Sequence, residues 1–245
     1  MTKPVVSLSP PKPDKVDSLT EFALIVKLEL FDAHFKVHYT KGFRLTYPIP
    51  LPTTVAGFFA SMLGLTGKEA ATKFGDYRFG AALAKKQTES VEQATYIQHK
   101  SNQFIRGVAR MHILTDAAFY LVMACEDGEE IKNMERKISD GIEYLPFGGQ
   151  NDFFAKDWRI LGSGSVTSST EIGNYLPSNF VGKLIEGVSM EILPVMHKLG
   201  PAQEFYFVLD GQLISKKELP VCPVDGKNIA LYKLGDFYPV GEWSS

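Results

Sequence analysis

The stretch Tyr47-Pro-Ile-Pro-Leu-Pro-Thr-Thr54 constrains this chain more than any other. Pro48, Pro50 and Pro52 each fix φ at about −65° and keep the residue before them out of the helical region. The backbone there is extended by force. It is then released into a helix, for which Thr53 or Thr54 is the expected N-cap. Val55, Phe58, Phe59, Met62 and Leu63 form an i, i+3, i+4, i+7, i+8 apolar stripe. The other side, Ala56, Gly57, Ala60 and Ser61, is small enough for a second backbone to approach. Gly64 is the expected C-terminal stop.

Elements on either side follow from periodicity. Val26, Leu28 and Leu30 alternate with Lys27 and Glu29, the pattern of a half-buried strand. Alternation resumes at Phe35, Val37 and Tyr39 in the opposite phase, which predicts a bulge or bend near Asp32. That phase puts His34, Lys36 and His38 in a row on one face. Further strands are expected over 77–84, 96–114 and 119–124. In the second, Ile105, Ala109, Met111 and Ile113 share one face; Arg106, Arg110 and His112 share the other. Asp127-Gly-Glu-Glu130 resembles a capping box ahead of Ile131, Met134, Ile138 and Ile142, at helical spacing. A strand over 153–161 completes the order strand, helix, strands, helix, strand. That order predicts an α+β chain with a ferredoxin-like, or RNA-recognition-motif, domain.

The expected organisation is a flexible tail over 1–21, with four prolines, then this domain over 22–161 and a smaller β-rich C-terminal region over 162–245. Residues 162–182, rich in Gly, Ser, Thr and Asn, read as a loop or boundary. Beyond them Val188, Met190 and Ile192 alternate with Ser189 and Glu191, and Asp210-Gly211 predicts a two-residue hairpin.

Charge is segregated although the net charge is only −2. Residues 33–68 contain no Asp or Glu but hold Lys36, Lys41, Arg44 and Lys68. Residues 93–115 also contain none but hold Lys100, Arg106 and Arg110. An even spread of the 28 acids would put between six and seven in those 59 positions. One basic surface for an anionic partner is the reading. Catalytic constellations are missing. Gly64-Leu-Thr-Gly-Lys68 has two residues between its glycines where a P-loop needs four. Gly162-Ser-Gly-Ser165 is not a nucleophile elbow, and His34 with His38 lacks a third metal ligand. Asp152 and Asp157 lie among aromatics that suggest turn and packing roles. Cys125 and Cys222 are far apart, which points to a reducing compartment and no structural zinc. No apolar stretch is long enough to span a bilayer and no secretory layout opens the chain, so a cytoplasmic location is expected.

Two features remain as candidate binding chemistry. The helix entered at Thr53-Thr54 has no acid in its first turn, so its free N–H groups and positive dipole end could seat a phosphate, with Lys41 and Arg44 upstream. Tyr144-Leu-Pro-Phe-Gly-Gly-Gln-Asn-Asp-Phe153 carries Gly148 and Gly149, which allow close backbone approach, and Phe147 and Phe153, which could stack a base. The plainer reading is a turn between helix and strand with aromatic core anchors.

Together, the segment from Leu45 to Gly64 and the Pro146-Phe-Gly-Gly-Gln-Asn-Asp-Phe153 segment resemble signatures of the fifth Cas protein family. These are the subunits that cap the crRNA 5′ handle in type I CRISPR Cascade complexes. Residues 33–40 and 108–124 look like the branch found in subtype B systems, and the resemblance covers 22–160. It implies a β-hairpin thumb inserted in the sheet, over about 93–110, gripping the handle. It implies a cytoplasmic ribonucleoprotein whose partners are crRNA, the Cascade backbone and large subunits, and target DNA near the PAM, with no cofactor, metal or membrane. The resulting RNA-binding set is Lys36, His38, Lys41, Arg44, Thr53, Thr54, Lys100, Arg106, Arg110, Gly148, Gly149 and Gln150. One branch of the family cleaves precursor crRNA without metal through Tyr, Lys and His. Tyr39, Lys41, His99 and Lys100 are the residues here that could do so, and a metal-independent endoribonuclease is the alternative to a non-catalytic subunit.

Overall fold

A computed structural model describes residues 21–37, 40, 43–100, 103–150, 152–195 and 203–236, without the side chains of 96 and 98–100. The expected tail over 1–21 lies outside them except for Glu21. In chain order the elements are β1 (Phe22–Ala33), β2 (Phe43–Arg44), α1 (Pro52–Met62), α2 (Gly67–Lys73), β3 (Arg78–Leu83), β4 (Thr88–Lys100), β5 (Gln103–Cys125) and α3 (Gly128–Asp140). There follow β6 (Ala155–Ser165), β7 (Thr167–Ile172), β8 (Tyr175–Pro177), β9 (Ser189–Val195), β10 (Gln203–Asp210), β11 (Leu213–Val224), β12 (Lys227–Ala230) and β13 (Tyr232–Lys233).

The central sheet runs β13-β3-β5-β1-β6, with β2 and β4 paired to β5 off that path. Its β3-β5-β1-β6 part is antiparallel throughout. With α1 between β1 and β3, and α3 between β5 and β6, this is the ferredoxin-like arrangement within an α+β fold. Leu24, Val26, Leu28 and Leu30 turn one face of β1 to the core shared with α1 and α3. Ala23 and Ile25 turn the other face, with Tyr120, Val122 and Ala124, against Cys222, Val224, Ile229 and Leu231 of the C-terminal region.

Several sequence expectations are corrected. Neither threonine caps α1. Leu51 is the N-cap, no side chain caps it, and Pro52 occupies the first turn, where its missing N–H costs nothing. Thr53 and Thr54 lie inside the helix. At the other end Gly64, at φ +70°, donates to Ser61 and Leu65 to Ala60, the bond pair of a Schellman stop. The segment 64–68 leads into α2, where Thr66 and Glu69 form a capping box. The buried face of the chain does change phase about Asp32, from Leu30 to Ala33, Phe35 and Val37, but no register shift divides β1 at that residue. The irregularities lie between Ile25 and Val26 and between Glu29 and Leu30 against β6, with Asp116 at φ +51° on the facing strand. His34 is not in an exposed row with Lys36; it is 1 % exposed.

The expected strand over 96–114 is a hairpin, β4 folding back on β5. Residues 162–182 are not a loop. They hold the end of β6 and all of β7 and β8, so position 161/162 falls inside a strand. In β9 the buried residues are Leu193 and Val195, while Ile192 is exposed. Asp210-Gly211 turns the chain without making a hairpin, because β10 pairs with β8 and β9, and β11 with β7 and β12. The two-residue hairpin is at Asp225-Gly226, both at positive φ, where Val224 faces Lys227.

Candidate nucleic-acid interface

The upper half of β5 rises from the central sheet paired along its length with β4, from Lys100↔Gln103 down to Thr88↔Thr115, and with β2 only at Arg110 and Met111. Residues directly opposite in an antiparallel pair share a face, and faces alternate along each strand. One face therefore carries Phe104, Arg106, Val108, Arg110 and His112 from β5, with Ile97, Thr95, Gln93 and Val91 opposite the last four. Arg106, Arg110, Phe104, Val108, Ile97 and Val91 are all exposed. Glu92 belongs to the other face, so Glu89 at the foot is the only acid on this one among the described residues. Two arginines that alternate with apolar side chains, and that form no ion pair among the described residues, suit a single strand's phosphates and base faces together.

The foot of the hairpin is fixed. Phe43 of β2 faces Arg110, and its ring centroid lies 5.1 Å from that of His112. His112 Nδ1 pairs with the Glu89 carboxylate, and its carbonyl accepts a 2.8 Å hydrogen bond from His34 Nδ1. His34 Nε2 is buried without a partner. Burial lowers the His34 pKa, and the charges of Arg44, Lys36 and His112 push it the same way. His34 is thus the neutral centre of a basic cluster. Lys36 is exposed and bridges Thr46 through its backbone; Arg44 faces Met111 of β5.

The Gly148-Gly149 turn closes on this cluster from the other side. The His34 amide donates to the Gly148 carbonyl at 2.7 Å. A Cβ on Gly148 would lie 2.7 Å from the Asp32 carbonyl oxygen. One on Gly149, at φ +84°, would lie 2.1 Å from that of His34. These glycines are needed by the end of β1 itself. The Gln150 carbonyl accepts from the Phe153 amide, which closes the turn. Phe153 is half-buried, and the exposed aromatics here are Tyr144, Phe147 and Phe154.

The structure thus gathers Lys36, Arg44, Gly148 and Gly149 around His34, with Arg110 and Arg106 farther up the hairpin. Thr53 and Thr54 stand apart at the head of α1, half-exposed, with no acid in that turn. His38, Tyr39 and Lys41, and the side chains of His99 and Lys100, lie outside the described residues. Sequence reading missed the exposed apolar ladder Val91, Ile97, Phe104 and Val108, and Phe43. The signal was present as alternation with Gln93, Thr95, Arg106 and Arg110, but reading 96–114 as one strand hid the pairing.

RNA-recognition motifs stack bases on the open face of their sheet. Here that face is partly closed. Tyr120 of β5 is buried under the β11–β12 turn and donates to Asp225 Oδ2 at 2.6 Å; burial pushes its pKa up to about 12. The uncovered part holds ion pairs of Lys27 with Glu29, and of Lys85 and Lys156 with Asp116. The hairpin is the more open basic surface.

No group of three His, Cys, Asp or Glu among the described residues could hold a metal ion, and no described helix is long and apolar enough to cross a membrane. No protein-family model matches the chain, and no curated protein does. Solved structures do. A CRISPR protein from Archaeoglobus fulgidus aligns with a TM-score of 0.50 at 13 % identity, over 86 % of this chain and 99 % of that one. The chain shares its fold with a CRISPR protein. A chain of a CRISPR RNA-guided surveillance complex aligns with a TM-score of 0.49 at 12 % identity, over 81 % of this chain and 91 % of that one.

Proposed function

We propose that this chain is a non-catalytic subunit of a type I CRISPR Cascade complex in the cytoplasm, of the fifth Cas family and close to its subtype B branch. It binds the repeat-derived 5′ handle of crRNA, joins the backbone and large subunits, and lies near the PAM end of target DNA. The observation that carries this reading is the hairpin β4–β5, whose Arg106 and Arg110 face rises from the Lys36–Arg44 cluster on a fold shared with a CRISPR protein. The Pro48 to Thr54 entry and the Gly148-Gly149 turn, on which the family resemblance rests, support it: one starts α1, the other seats the end of β1.

The arginines act through phosphates. Each contact to a single strand contributes about 0.7 to the slope of log affinity against log salt. Arg106→Ala and Arg110→Ala should each weaken single-stranded RNA binding and lower that slope by roughly this amount, without shifting the melting temperature, because both side chains are exposed. Unchanged slopes in both variants would remove the hairpin from the interface. Incubation of repeat RNA with the purified chain in EDTA should leave it intact. A discrete cut would instead favour the endoribonuclease reading.

A further inference from the structure

The central sheet ends at β6. Among the described residues β6 pairs with β1 alone, and no strand takes its outer edge. Between its two irregularities, Asp157, Trp158, Arg159 and Ile160 run in unbroken register with Glu29, Leu28, Lys27 and Val26. That register sets like charges opposite each other, Asp157 against Glu29 and Arg159 against Lys27, which is unfavourable. Lys27 and Glu29 answer one another through a 2.6 Å ion pair. Asp157 and Arg159 are exposed and form no ion pair among the described residues.

The backbone shows on which side a partner is missing. The Trp158 amide donates to the side chain of its own neighbour, Asp157 Oδ1, at 2.9 Å. An amide in the β1 ladder would donate to a β1 carbonyl, so this one points to the free edge. In an antiparallel strand the carbonyl of the same residue points the same way. Trp158 thus offers both groups that a further antiparallel strand would use, with a carboxylate standing in for the missing carbonyl.

The charges select the strand. When two identical strands pair antiparallel in one sheet, one residue faces its own copy and its flanking residues face each other crosswise. Centred on Asp157 or on Arg159, the pair would set like charges together. Centred on Trp158, it sets Asp157 opposite Arg159 of the second copy, twice.

We infer that β6 joins β6 of a second copy of this chain, antiparallel about Trp158, so that two central sheets become one. The two Trp158 residues exchange N–H···O=C bonds, and Asp157 turns from the Trp158 amide to the second copy's Arg159. Those flanking pairs are the non-hydrogen-bonded ones, whose side chains approach most closely. The contact uses a different strand from the β4–β5 hairpin and needs no RNA, so it stands or falls apart from the RNA-binding reading.

Sedimentation velocity of the full RNA-free chain over a concentration series is the test, and it should show a monomer–dimer equilibrium. Asp157→Arg and Arg159→Asp should each weaken dimerisation about tenfold, because two attractive cross-strand pairs become repulsive. Neither should lower the melting temperature, since both sites are exposed and each change removes a like-charge pair within the chain. An equimolar mixture of the two variants should dimerise again, because an edge with two arginines then meets an edge with two aspartates. A parent chain that is monomeric at about 0.1 mM overturns the inference, since even millimolar affinity would leave a measurable dimer there. Single variants that dimerise like the parent, or a mixture that stays monomeric, overturn it as well.

Discussion

Gly149 and His34 hold the end of β1, and each makes a distinct demand. Gly149 sits at φ +84° with the His34 carbonyl oxygen where its Cβ would be. Gly149→Ala should therefore cost roughly 1–3 kcal/mol from the backbone conformation alone. A lowered urea midpoint with an unchanged slope is the expected result, and an unchanged midpoint would mean that the turn is looser than described. His34 demands neutrality. Its pKa is depressed in the folded state, so the unfolded chain takes up its proton first as the pH falls. The stability it contributes is present above its ordinary value, near 6.5, and is lost progressively below it. His34→Gln keeps a donor for the His112 carbonyl and removes the titration. The drop in melting temperature between pH 7.5 and 5.5 should be smaller in that variant than in the parent chain. Equal drops would show that protonation occurs elsewhere.

Among the elements, α1 is buried nearly all round, with Val55, Ala56, Phe58, Phe59, Ala60 and Met62 all covered. Phe59 is fully buried and rests 6.4 Å, centroid to centroid, from Phe79 of β3. Phe59→Ala should cost about 3–5 kcal/mol in chemical denaturation, whereas a loss below 1 kcal/mol would mean that the cavity collapses. This helix was legible because prolines fix its start and its stripe keeps one period. The α3 N-cap at Asp127 was legible for a similar reason, since its side chain accepts from the Glu129 and Glu130 amides. The hairpin was not legible from periodicity, because the one glycine in 96–114, Gly107, lies within β5 and marks no turn; only the family resemblance implied a hairpin there. Short-range chemistry also cannot say which strand a turn returns to. Asp210-Gly211 and Asp225-Gly226 look alike, yet β10 already has partners on both edges while β11 has an edge free for β12. Residues 162–182 read as a loop because 162–171 has Val166 as its only apolar residue, and β6 and β7 are half-exposed strands that need few.

At the scale of the molecule, the division expected at 161/162 is a change of composition within a shared core. Tyr47, from the segment leading to α1, stacks on Phe207 of β10 at 5.5 Å and donates to the Pro194 carbonyl. Tyr232 of β13 stacks on Tyr175 and joins the edge of the central sheet through Phe79. The C-terminal strands also cover part of the sheet face that RNA-recognition motifs keep open, which leaves the hairpin and its foot as the basic surface. Charge segregation made that surface legible, but the closing of the sheet face depends on contacts across more than 100 residues and has no local signal. We propose that this surface holds one defined RNA end. It is tested most directly by recovering a tagged copy from its native host and sequencing the RNA bound to it. Short RNAs sharing a single repeat-derived 5′ end are the predicted result; absence of RNA, or a mixture without a common end, would contradict it.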